Sequence, residues 1–186
     1  MPPADDPIRL LVVEDSELDY DLLQAILLRD RETLGGRVRT TRAEDEAGMR
    51  AAFARGPVDA VITDHNLPRF DSFAALKVTK EVDPDLPVIV LSGEMSEELA
   101  VASLHAGADD FILKSRMFRL GPALKRSLDA AAARRGQRAA FAALADSEAR
   151  LRELTRHMER IKEEERRNLA REVHDDIGST LTALKF

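Results

Sequence analysis

The chain has 186 residues, which allows one domain of ordinary size with an extension, or two very small domains. Hydrophobic residues at 44% and charged residues at 33% exclude a disordered tail, and the lack of cysteine excludes a disulfide framework, a thiol nucleophile and a cysteine-ligated metal centre. The net charge of −6 is uneven: residues 1–120 hold 14 Lys/Arg against 23 Asp/Glu, whereas residues 121–186 hold 14 against 11.

Ile8–Val13 (IRLLVV) is an apolar run of strand length, followed by Glu14 and Asp15. Leu18–Leu28 has helical spacing, and Arg37–Thr41 (RVRTT) is a weaker strand with polar alternation. Glu44–Phe53 is helical again, Val58–Thr63 (VDAVIT) is a strand ending at Asp64, and Ala74–Val82 is a helix. Pro87–Ser92 (PVIVLS) reads as a strand, Glu97–Leu104 as a helix and Asp109–Leu113 (DDFIL) as a strand ending at Lys114. Alternating strands and helices with apolar strands predict an α/β fold, a doubly wound five-stranded parallel sheet.

In such sheets reactive groups gather beyond the carboxyl ends of the strands. There the sequence places Glu14, Asp15, Asp64, Ser92 and Lys114. Three neighbouring acids repel one another and need a cation, and oxygen-only ligation suits Mg²⁺. A carboxylate beside Mg²⁺ and Lys can attack a phosphoryl group, with Ser92 donating a hydrogen bond to a phosphoryl oxygen. Taken singly, each of these five would be an ordinary polar loop residue.

Residues up to about 135 resemble the receiver domain of two-component response regulators. The resemblance rests on VVEDSELD (12–19), VITDHNLPRF (61–70), VIVLSG (88–93) and GADDFILKS (107–115). It implies a flavodoxin-like fold with Asp64 as phosphoacceptor. It further implies Mg²⁺ held by Glu14, Asp15, Asp64 and the backbone carbonyl of Asn66, with Ser92 and Lys114 on the phosphoryl oxygens and Phe111 at the aromatic switch position. Ser115 stands where the family usually has proline after the lysine. Period-2 alternation puts Phe111 on the face opposite Ile112, and two readings of it stay open: a half-buried core ring or a ring that swings inward with Ser92.

Gly121-Pro122 reads as a helix entry, and no further proline follows to Phe186. Phe141, Leu144, Leu151, Leu154, Met158 and Ile161 recur largely in 3/4 steps, a coiled-coil seam. Leu169, Val173, Ile177 and Leu181 then follow at steps of four, so a stutter is expected near Glu165. A long helix with one apolar stripe needs a partner, most simply a second copy, although folding back onto the first domain is the other solution.

His174 sits about 100° off the line of Val173, Ile177, Leu181 and Leu184, with Asp175 and Asp176 beside it. A neutral imidazole with a carboxylate nearby is a competent phosphoryl acceptor. REVHDDIGSTLTALK (171–185) resembles the phosphoacceptor helix of sensor histidine kinases, in the subgroup reading His-Asp-x-x-Gly-x-x-Leu. The resemblance implies autophosphorylation at His174 with Asp175 as general base. The second hairpin helix and the ATP-binding domain do not follow, so the expectation is a truncated kinase that does not itself use ATP.

The expected organisation is a receiver over 1–135, a coiled-coil signalling linker over 136–162 and the first helix of a kinase dimerisation and phosphoacceptor domain over 163–186. The expected partners are a second copy through the C-terminal helix and a cognate phosphodonor histidine kinase or response regulator. Closely alternating charge signs, few aromatics, no apolar run of 18 residues and no signal peptide predict no nucleic acid, no membrane and a cytoplasmic location. Two alternatives remain: a free-standing response regulator acting by protein–protein contact, and a structural dimeriser with an inactive receiver-like pocket.

Overall fold

The computed structural model describes residues 6–68, 70–94 and 96–183, except for the side chains of 170 and 172–183. In chain order the elements are β1 (Ile8–Val13), α1 (Glu17–Arg29), α2 (Arg31–Leu34), β2 (Val38–Ala43), α3 (Glu46–Arg55) and β3 (Ala60–Asp64). These are followed by α4 (Ser72–Val82), β4 (Val88–Ser92), α5 (Glu97–His105), β5 (Asp110–Leu113), a 3-10 segment (Lys114–Arg119) and α6 (Leu120–Ala183). The five strands form one parallel sheet in the order β2-β1-β3-β4-β5, the flavodoxin-like order, which reverses between β1 and β3.

Every residue of β3 and β4 is buried, which explains their unbroken apolar runs. β2 lies at the edge and alternates half-buried with exposed positions, matching its polar alternation. It runs from Val38 to Ala43, beyond the expected Thr41, because β1 templates it from Ile8↔Val38 through Val13↔Ala43. β3 begins at Ala60, not Val58, because the Asp59 carboxylate is turned to Arg9, accepting its backbone N–H at 2.8 Å and its guanidinium at 3.0 and 3.1 Å.

The helix starts are set by side-chain caps. Asp45, expected inside α3, instead caps it by accepting from Gly48 N at 2.8 Å, and Asp71 caps α4 from Ala74 N at 2.7 Å, so that helix opens at Ser72. The short α2 has no counterpart among the expected elements; it ends at Gly35, whose φ of 78° is a left-handed conformation open to glycine.

Two clusters cover the sheet's faces. Leu11, Val13, Val61, Val88 and Val90 pack with Met49 and Ala52 of α3 and Ala75, Leu76 and Val78 of α4. Leu10, Val12, Ala60, Ile62, Ile89, Leu91 and Ile112 pack with Leu23 and Leu27 of α1 and Leu120, Ala123 and Leu124 of α6. Burial of such side chains contributes about 1.5–3 kcal/mol each.

The chain divides into two compact units after Gly136. In the second unit Phe141, Leu144, Leu151, Leu154, Met158, Ile161 and Leu169 are all exposed. None of the described helices is long and apolar enough to cross a membrane.

Candidate functional site

The chain enters the site at the end of β1, where Glu14 is buried and Asp15 is exposed. β3, the neighbour of β1, ends on Asp64, which is buried. Oxygens of Glu14, Asp15 and Asp64 all lie within 4.8 Å of one another. Lys114 follows β5 directly and reaches back over the strand ends. Its Nζ donates to Asp64 Oδ2 at 2.9 Å, to Glu14 Oε2 at 3.0 Å and to Asp19 Oδ2 at 2.5 Å.

The two buried acids are each held from a second side. Asp64 Oδ1 accepts from the backbone N–H of His65 at 2.8 Å, and Glu14 Oε1 accepts from that of Ser16 at 3.2 Å. Burial pushes the Glu14 carboxyl above its ordinary value, the Lys114 hydrogen bond opposes that shift, and the Asp64 charge adds to it. For Lys114, burial pulls the ammonium down, but hydrogen bonds to Asp19, Asp64 and Glu14 outweigh it and hold the lysine above its ordinary range. One ammonium thus faces a crowd of carboxylates. This all-oxygen, anionic donor set fits a hard divalent cation, and the exposure of Asp15 leaves room for water in its shell.

The fold therefore brings Glu14, Asp15, Asp64 and Lys114 together. Ser92 ends β4 one residue past Leu91, the register partner of Asp64, but its hydroxyl is engaged with the Glu94 backbone at 3.2 Å on both N and O. Asn66 is exposed in the loop after β3. Phe111 is half-buried against the Val88–Val90 face, opposite Ile112, as alternation predicts. The side chains of His174 and Asp175 lie outside the described residues.

The structure adds Asp19 to the residues that the sequence places at the site. Asp19 is in the first turn of α1, where its backbone N–H donates to Ser16 Oγ at 3.3 Å. The signal was present as Ser16-x-x-Asp19, the spacing that puts an acid at the third position of a helix opening beside a strand end.

The order of the sheet and the acid–lysine rim define a class of phosphoryl-accepting α/β signalling domains. A model of the response regulator receiver domain matches residues 10–120. The chain belongs to that family, the receivers of two-component phosphorelay signalling. The transcriptional regulatory protein PrrA of Mycobacterium tuberculosis is 40% identical over 106 residues, 57% of this chain and 43% of PrrA. The chain thus spans less than half the length of the curated relatives it matches. Among solved structures, NtrX from Brucella abortus is 30% identical with a TM-score of 0.58, covering 70% of this chain and 29% of NtrX. The receiver domain of a signal transduction histidine kinase from Syntrophus aciditrophicus is 27% identical with a TM-score of 0.55, covering 66% of this chain and 90% of that one.

Proposed function

We propose that Asp64 is the phosphoacceptor of this receiver and that its phosphorylation regulates a histidine kinase through a dimeric helix. The observation that carries the reading is the ammonium of Lys114, set 2.9 Å from Asp64 and 3.0 Å from Glu14 at the strand ends. An Asp64 oxygen attacks the phosphorus of an acyl phosphate or of a kinase phosphohistidine. The new O–P bond forms as the bond to the leaving group breaks, and the leaving group departs with the electron pair. With acetyl phosphate the products are aspartyl phosphate and acetate. Lys114 donates to a phosphoryl oxygen, and Ser92 does so once its hydroxyl leaves Glu94. Glu14, Asp15, Asp64 and the Asn66 carbonyl would hold Mg²⁺, which offsets charge on the equatorial oxygens when bound. Phe111 follows the movement of Ser92 as the switch.

The coupling to a kinase rests on the segment 171–185 and on α6, which contributes residues to both compact units. In this reading residues 1–135 are the receiver, 136–162 the coiled-coil linker and 163–186 the opening of the phosphoacceptor domain, with His174 the acceptor and Asp175 its general base. The second reading is a response regulator whose output is protein contact. That the chain is a response regulator is favoured by the response regulator MprA of Mycobacterium, which is 32% identical over 108 residues.

Acetyl phosphate with Mg²⁺ should add one phosphoryl group to the intact chain and none to Asp64→Asn. A wild-type mass that stays unchanged contradicts the receiver chemistry. Trans-phosphorylation by a histidine-kinase catalytic domain should label His157→Gln but not His174→Gln. Equal labelling of both contradicts the kinase reading and favours the second.

A further inference from the structure

An ammonium has three N–H donors, and all three of Lys114 are committed, to Asp19, Asp64 and Glu14. A phosphoryl group arriving at Asp64 needs one of them. The three carboxylates differ in what their release would cost: the side chains of Glu14 and Asp64 are 2% and 8% exposed, whereas that of Asp19 is 43% exposed. A buried carboxylate left without its donor bears the full desolvation penalty, while a half-exposed one is taken up by water. Asp19 is also outside the group of acids that fits a cation, so a metal does not occupy it in the lysine's place. Its position is fixed by α1 itself, through the Ser16 cap and a helix N-terminus that favours a negative side chain.

We infer that Asp19 is a positioning residue that competes with the phosphodonor for Lys114, so that phosphorylation of Asp64 requires the Asp19–Lys114 pair to open. The inference rests on the reading of Asp64 as acceptor. In the resting site Asp19 keeps the ammonium occupied and adds a fourth negative charge on the approach of an anionic donor. The donor must displace that carboxylate from the lysine, whereas Glu14 keeps its bond.

The test is the concentration dependence of Asp64 phosphorylation by acetyl phosphate at fixed, saturating Mg²⁺. Asp19→Asn should lower the half-saturating acetyl phosphate concentration by roughly two- to five-fold, the range open to a partly exposed ion pair, with little change in maximal rate. Asp19→Ser, a second neutral variant, should show the same fall, and Asp19→Glu, which keeps the charge, should return toward wild type. Asp21→Asn removes one exposed charge from the same helix without touching Lys114 and should leave the half-saturating concentration where it was. A purely structural role for Asp19 would change melting temperature or maximal rate and leave half-saturation alone. Unchanged or raised half-saturation in both neutral variants overturns the inference, as does an equal fall in Asp21→Asn. A wild-type chain that takes no phosphoryl group overturns the underlying assignment of Asp64 instead, and the inference with it.

Discussion

Lys114 and Glu14 are 100 residues apart in sequence, and Nζ of one lies 3.0 Å from Oε2 of the other. The bond crosses from β5 to β1, and Asp64 at the end of β3 shares the same ammonium. Replacing the lysine leaves two buried carboxylates facing each other with only a backbone N–H each and no counter-charge. Lys114→Met should therefore lose on the order of 1–3 kcal/mol of stability in metal-free buffer, discounted for the partial exposure of the lysine. Because Mg²⁺ can offset the same charges, adding it should raise the melting temperature of the variant more than that of wild type. Thermal melts with EDTA and with Mg²⁺ check both halves; equal metal shifts in the two proteins would contradict the shared role of the carboxylates.

A second prediction concerns the start of α6. A Cβ at Gly121 would lie 2.5 Å from Asp30 Oδ2 and 2.7 Å from Asp30 Cβ, so only glycine lets the end of α1 approach so closely. Gly121→Ala should cost about 1–3 kcal/mol through overpacking, measured by urea denaturation. Asp30 Oδ2 is buried and accepts no hydrogen bond from the described residues. Asp30→Ala alone should thus be tolerated, yet it should not rescue Gly121→Ala, because its Cβ remains in the way. Asp30→Gly should rescue it.

The switch role proposed for Phe111 has a direct optical test. The ring is half-buried against the α3–α4 face of the sheet, and the chain contains no tryptophan. Phe111→Trp should change its fluorescence when acetyl phosphate and Mg²⁺ are added, and the same substitution on Asp64→Asn should not. A signal that is constant in both would make Phe111 a plain core residue.

The second unit predicts association. Leu151 and Leu154 are 61% and 55% exposed in the single chain, on the seam that continues through Met158 and Ile161. Sedimentation of the full chain should report a dimer, and Leu151→Glu with Leu154→Glu should give a monomer whose receiver still takes a phosphoryl group. A monomeric wild type at micromolar concentration would contradict dimerisation through this helix.

The strands that carry the site were legible because β3 and β4 are buried throughout and β1 from Leu10 onward, so they spell apolar runs, each closing on a polar residue. Glu14, Asp15 and Asp64 could be placed on one rim from that, and Lys114 from the short run Asp109–Leu113 that precedes it. Helix starts were less legible: Asp45 and Asp71 act through side-chain caps, which shift a boundary by a residue or two without altering the apolar period. The four residues of α2 are too few to show a period at all. The role of Asp19 is not legible because its contact depends on a lysine 95 residues away, and helix spacing does not reveal which side of a turn faces a distant strand end. The engagement of Ser92 with Glu94 depends on loop geometry in the same way.

The most direct measurement of the central claim is to locate the phosphoryl group. After treatment with acetyl phosphate and Mg²⁺, borohydride reduction converts an aspartyl phosphate to homoserine, which peptide mass spectrometry can place. Homoserine at position 64, absent without the donor and absent from the Asp64→Asn chain, is the predicted result. Homoserine at position 15 or 19, or none anywhere in a chain that has gained a phosphoryl mass, would contradict the assignment of Asp64.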